Sequence, residues 1–319
     1  MNNKEIYKKT LTFSIRRFGW DLLSLVVILA FTALGVFSAN AMNGAWAVGL
    51  CIGFIIGVIV MAIASHFISY VFKAGQIAMM TEGVTTGKLP DDVYGAGKKV
   101  VKERFATVAA YFAVTGAIKG IFNQLGNAIT SVGKAVGGDA GNAVGGTVSA
   151  VLQTIVEYLC DCCLGWVFYR KNESSFKATM EGAVLYFRHG KTFFKNMGRV
   201  FGIGFISLLV IGGAFFGIFY LITMAFQGNF VDLANWMATE GKDVPEFFTY
   251  ANNLMLATAG IGALVMWGII HSVFVKPFVL VGVLRNYIAS GKDEKFSEND
   301  FDELDKKSAK FKKLHAEAK

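Results

Sequence analysis

Charge is scarce in this chain. Asp, Glu, Lys and Arg make up 17% of 319 residues against 54% hydrophobic residues, which excludes an ordinary soluble globular domain. Chemistry-bearing motifs are scarce as well. No Ser, His and Asp order, cofactor fingerprint or paired metal motif is present, so nothing implies an enzyme, a cofactor or a metal centre. Residues 83–88 (GVTTGK) have a glycine spacing one residue short of a phosphate loop, and Leu89 stands where Ser or Thr is required. The acid-rich run 293–305 lacks the glycine of an EF-hand, so calcium is not implied. Cys160, Cys162 and Cys163 share one stretch and Cys51 lies on another, which suits neither a disulfide nor a zinc site. They read as buried thiols, with acylation as the alternative. A net charge of +8 in a soluble chain points to nucleic acid, but no basic patch interleaved with aromatics accompanies it.

What is present is apolar and helical. Six stretches have the length and character of membrane spans, at about 22–39, 45–72, 107–128, 147–169, 200–226 and 254–275. The reading is an all-α, polytopic transmembrane bundle with both termini inside and amphipathic cytoplasmic helices. Residues 1–290 form its membrane domain and 291–319 a soluble, charged helical tail. Ala39-Asn40-Ala41 imitates a signal-peptidase site, but the apolar run before it exceeds a signal core, so the first span reads as retained. This arrangement puts 28 of the 31 lysines and arginines inside, leaving Lys119 within a span and Lys134 and Lys242 outside. Localisation in the cell membrane follows. Residues 73–106 read as a loop carrying a basic helix (Lys98, Lys99, Lys102, Arg104) against anionic headgroups.

Small residues mark the seams. Gly49, Gly53 and Gly57 recur at four-residue spacing, with Ser65 and Ser69 further along, and Gly213 and Gly217 form a second pair. In lipid such stripes let helix backbones approach closely. Residues 133–146 are glycine-rich and read as a flexible connection.

The fourth span carries Glu157 and Asp161, one above the other on one helix face. A carboxylate at that depth must face protein, water or a cation. With both flanking helices spanning, Lys119 and Glu157 each sit ~18 Å deep at ~1.5 Å per residue, a depth at which they could pair. In the alternative, 107–128 lies in the interface and Lys119 snorkels to the headgroups. His66, His271 and Asp161 fall in the inner half of the bundle, where they suit a proton or cation site. The plainer reading is a structural Glu157–Lys119 pair with histidines bonded to neighbouring helices.

The first and last hairpins share a weak pattern, HFISYVFK at 66–73 and HSVFVK at 271–276, each followed by Gly-Lys, which is either a parallel repeat or chance. In the tail, Asp302 with Lys306 and Glu303 with Lys307 have the spacing of helix ion pairs. Phe301, Leu304, Phe311 and Leu314 form an apolar stripe suited to docking on the chain itself or on a partner helix.

The stretches at 73–105 (KAGQIAMMTEGVTTGKLP…KKVVKERF), EYLCD at 157–161, GAVLYFRHGKTFFKNMGR at 182–199 and KPFVLVGVLRNYI at 276–288 resemble an uncharacterised family of prokaryotic multi-pass integral membrane proteins. The last two are also similar to the C-terminal half of choline-transporter-like proteins. The first resemblance implies no activity, and neither transfers a substrate or residue roles. Two functions follow from the residues. A transporter or permease would use the intramembrane carboxylates. A non-catalytic scaffold or accessory subunit would act through helix packing and the tail, as a homo-oligomer or with a membrane partner.

Overall fold

In the computed structural model the described backbone covers residues 1–42, 46–105, 108–137, 141–239 and 244–318. Side chains are described there except at 46–47, 66, 67, 69, 108, 125–137, 141–153, 155, 190–199 and 318. Every element among the described residues is helical. The chain divides into two compact units, residues 1–197 with 277–319, and residues 198–276.

The first unit opens with α1 (Asn3–Ala41), started by a capping box. Asn2 Oδ1 accepts from the Glu5 N–H and Glu5 Oε2 from the Asn2 N–H, both at 2.9 Å. The helix then serves two surroundings. Ile6, Thr10, Phe13 and Ser14 are buried in protein, whereas Leu23, Val26, Leu29, Leu34 and Phe37 are exposed. The antiparallel α2 (Trp46–Thr86) does the same in reverse, exposing Ile52, Phe54, Ile55, Ile59 and Ile63 and then burying every residue from 74 to 81. The expected loop from Lys73 is therefore helix as far as Thr86, because its AGQIAMMT stretch is core. Gly87, at φ +69°, ends α2 in the left-handed region. The phosphate-loop lookalike is thus a helix C-terminus, the wrong end for an anion.

The glycine seam lies between these two helices. A Cβ on Gly53 would stand 2.3 Å from the Phe31 carbonyl oxygen, and one on Gly49 2.3 Å from that of Gly35. Gly57 meets Ile28 Cα at 3.0 Å, and Gly35 is the matching notch on α1. Below the seam, Trp20 Nε1 donates to Ser65 Oγ at 3.0 Å.

After the turn, α3 (Val93–Arg104) buries Val93, Gly97 and Val101 against α1 and α2, leaving Lys98, Lys99 and Lys102 exposed. A bend of 83° leads into α4 (Val108–Gly137). There Tyr111, Val114, Ile118, Ile121 and Phe122 are buried, while the exposed face is Ala109, Ala113, Gly116, Lys119 and Asn123. This exposed face is small and polar, in contrast to the Ile and Phe exposed by α2. Next comes α5 (Gly141–Tyr169), so the expected flexible connection is helical on both sides and residues 138–140 lie outside the described set. Residues 161–168 of α5 and 178–186 of α6 (Ser175–Ser207) are continuously buried. With 74–81 of α2 they form the centre of the helical body.

Within the second unit, the end of α6 passes through a π-helical turn, Leu208–Gly212, into α7 (Gly213–Ala225). Then follow α8 (Gln227–Thr239), a 3-10 turn at Glu246–Thr249, and α9 (Ala251–Ile270). Trp236, Phe247, Phe248 and Tyr250 are exposed. Among the described residues the Gly213, Gly217 pair forms no seam, since a Cβ at either meets nothing within 4 Å. Close approach falls on Gly262, whose Cβ would touch the Phe219 ring at 3.1 Å. A second π turn, His271–Val275, precedes Pro277, which has no N–H for a helix bond and crowds the preceding turn. Its counterpart in the first hairpin, 66–73, runs as plain α-helix.

The chain returns to the first unit in α10 (Lys276–Gly291), which buries Leu280, Val281, Leu284, Tyr287 and Ile288. It ends in α11 (Glu298–Asp305) and α12 (Ala309–Ala318). All four residues of the tail stripe are buried, and Gln124 of α4 accepts from the Ser308 hydroxyl at 2.6 Å, so the tail is docked on its own chain. Arg188 latches it from α6 by pairing with Glu294 and Asp300. The predicted Asp302–Lys306 and Glu303–Lys307 pairs do not form among the described residues, because α11 stops at Asp305 and Lys307 turns onto the Phe187 ring at 5.0 Å.

Four helical stretches are long and apolar enough to cross a membrane, Asn3–Ala41, Val48–Ser65, Val200–Ala225 and Ala251–Gly291, and the bent pair of α3 with Ala109–Gln124 would make a fifth.

Two outcomes test this packing. Gly53→Leu is expected to lower the thermal midpoint of the detergent-solubilised protein by the equivalent of about 1–3 kcal/mol, the range for overpacking, while Gly217→Leu leaves it unchanged. For the tail, partial burial raises the Asp300 carboxyl, but hydrogen bonds from Ser297 and the Arg188 charge lower it further, to a net depression below 3.8. A depressed carboxylate stabilises above its unfolded pKa and loses that contribution as pH falls through its folded one. Tail protection from limited proteolysis with an acid-tolerant protease is therefore expected to hold at neutral pH and to fade only below about pH 4.

Candidate functional site

The acidic face of α5 divides as the helix enters the body. Glu157 is exposed, whereas Asp161, one turn later, is 3% exposed. The cation at Asp161 is Lys73 of α2, with Nζ 2.6 Å from Oδ1, and Lys119 is exposed on α4. The pairing of Glu157 with Lys119 at matched depth is therefore replaced by Asp161 with Lys73. Depth along α2 and α5 does the selecting, because the two helices run side by side in parallel. Thr81 Oγ1 reaches the Gly165 carbonyl at 3.5 Å, and Glu82 pairs with Lys171 at 3.0 Å. Around the ion pair stand aromatic rings, with Tyr70 and Tyr111 centroids 5.1 Å apart and Tyr111 and Phe105 5.4 Å apart.

A second buried acid was not among the residues singled out from sequence. Glu181 on α6 has a side chain 2% exposed and takes a forked contact from Arg170, Nε to Oε2 at 2.8 Å and Nη2 to Oε1 at 3.0 Å. Trp166 Nε1 adds a third bond to Oε2 at 3.2 Å. Two donors four residues apart at the end of α5, Trp166 and Arg170, were the available signal. Arg104 completes the layer by donating to the carbonyls of Arg170, at 3.2 Å, and Glu173, at 2.7 Å, which closes the C-terminus of α5. Each buried carboxylate is matched by a cation that reaches partway to the surface, an arrangement that holds helices in register.

The second unit has its own polar cluster. Ser207 Oγ donates to the Gly204 carbonyl at 2.7 Å and accepts from Trp267 Nε1 at 3.1 Å, and His271 Nδ1 lies 3.1 Å away. A hydroxyl has one hydrogen, and Ser207 gives its own to Gly204, so the third contact is met by an N–H on His271 Nδ1. Ser207 immediately precedes one π turn and His271 begins the other, and π turns gather at functional positions. His66 lies on α2, and its side chain falls outside the described set. Of the sequence-derived residues, Asp161 belongs to the first unit and His271 to the second.

The cysteines remain thiols, with Cys162 and Cys163 buried, Cys160 half-buried and Cys51 exposed.

Breaking a buried pair by removing one partner costs about 3–5 kcal/mol. Lys73→Met is expected at the low end, because Lys73 is itself 40% exposed, while Lys119→Met stays within about 0.5 kcal/mol of wild type, both read from denaturation in detergent.

Compared with known proteins, the chain matches no family model, no curated protein and no solved structure.

Proposed function

We propose that this chain is a non-catalytic scaffold of the cell membrane, anchored by four spans with both termini inside. Its helical body presents a basic surface to anionic headgroups and to a membrane partner or second copy. The observation that carries this reading is the closed ion-pair layer. The acids that pointed to transport are neutralised within a packed protein core or, like Glu157, exposed at its edge.

Charge supports the topology. Converting one expected span to a non-spanning helix would invert everything after it, but converting both 107–128 and 147–169 restores the orientation. Lys119 and Lys134 then join the inside, leaving Lys242 alone among 31 lysines and arginines on the outside. The outer face of α4 and the continuous burial of 161–168 agree with that assignment.

A second reading, transport, rests on the Ser207, Trp267 and His271 cluster beside two π turns. It makes His271, and not the carboxylates, the coupling residue.

Two measurements separate these readings. A single cysteine at position 119 in a cysteine-free background is expected to react with an impermeant maleimide from the inner side only; protection from both sides would restore the six-span bundle. In proteoliposomes, flux of monovalent cations and small amines is expected to equal that of protein-free vesicles. Flux that His271→Ala abolishes would establish transport instead.

A further inference from the structure

Helices α11 and α12 close around His315, which is 3% exposed. Its Nε2 lies 3.2 Å from Glu298 Oε2 and its Nδ1 lies 3.0 Å from Asp305 Oδ2. A neutral imidazole has one N–H and satisfies one of these contacts; at the other, a lone pair would face a carboxylate oxygen. That second contact is closed either by a proton on the ring nitrogen or by a metal cation. Two observations place it on the Asp305 side. Asp305 Oδ1 is fully buried and has no hydrogen-bond partner. Asp302, one turn earlier on α11, brings a carboxylate oxygen to within 4.8 Å of the ligand atoms of Asp305 and His315. Among the described residues no lysine or arginine pairs with Asp302.

We propose that Asp302, Asp305 and His315 bind a divalent transition metal, with zinc the best match to one imidazole and two carboxylates. Nδ1 is the ligand. Nε2 keeps its hydrogen and donates it to Glu298, so that a carboxylate outside the ligand set holds the ring in the tautomer the metal requires. An imidazole in the set disfavours magnesium and calcium, which take oxygen ligands. Three protein ligands leave a fourth tetrahedral position for water, and exposed Asp302 gives the ion a way in. By bridging α11 to α12 the metal fixes the hairpin that carries Phe301, Leu304, Phe311 and Leu314 onto the body. Sequence spacing does not reveal the site, because its imidazole comes from a separate helix.

The test uses the full chain in detergent, stripped with a chelator and titrated with zinc by calorimetry, with magnesium as control. Saturable zinc binding at one site is expected, with tail cleavage by protease slowed when zinc is bound. Asp302→Asn is the deciding variant, since Asp302 is exposed and its loss leaves the core intact. It is expected to weaken zinc binding roughly tenfold or more while the melting of the metal-free protein is unchanged. His315→Gln is expected to abolish binding. Absence of saturable zinc binding, or affinity unaltered by Asp302→Asn, would overturn the assignment. So would nitrogen NMR showing a doubly protonated His315 ring at neutral pH that zinc does not change, since a proton alone would then close the site.

Discussion

Asp161 can ionise inside this protein because Lys73 stands beside it, and that pairing requires α2 and α5 to lie parallel and in register. The same register brings Thr81 to Gly165 and Glu82 to Lys171, and hands the end of α5 to Arg104. From there Arg170 and Trp166 bind Glu181 on α6, so the three helices with continuously buried stretches are tied by charge as well as by apolar contact. A buried ion pair adds little net stability over an apolar isostere, but a misregistered one is heavily penalised. The layer therefore acts as an alignment device. Only one relative position of α2, α5 and α6 neutralises both acids.

Around that layer, single helices cope with two surroundings. α1 and α2 are continuous rods whose exposed surfaces are Leu, Ile, Val and Phe over one half and whose other halves are built into a protein core. Glycine notches join the apolar halves, where lipid supplies no hydrophobic drive for helices to associate. In the body, apolar burial does that work, aided by the tail, which covers α4 and is latched by Arg188.

Several features were legible because they depend on local spacing. The glycine stripe at Gly49, Gly53 and Gly57, the tail stripe and the long apolar runs all follow from side-chain periodicity on a helix. Others were not legible, because hydropathy records how apolar a segment is and not what surrounds it. Residues 161–168 belong to an apolar stretch, but that does not say that their neighbours are α2, α6 and α10. Glu181 was hidden for a related reason: its donors come from another helix, and its own helix is flanked by lysines and arginines that suggest solvent. Gly213 and Gly217 have the spacing of a seam, but spacing does not say which face a partner occupies.

By itself the sequence determined an all-helical chain with long apolar helices, a glycine-notched first hairpin and a tail with one apolar face, because composition and helical periodicity are properties of each segment alone. Only the tertiary structure decided that Asp161 pairs with Lys73, that Glu157 is exposed, that Ser207 meets His271 and Trp267, and that His315 is enclosed by carboxylates. Each of these depends on which helices become neighbours and at what register. Those quantities arise from packing between segments far apart in the chain, and no local pattern of residues encodes them.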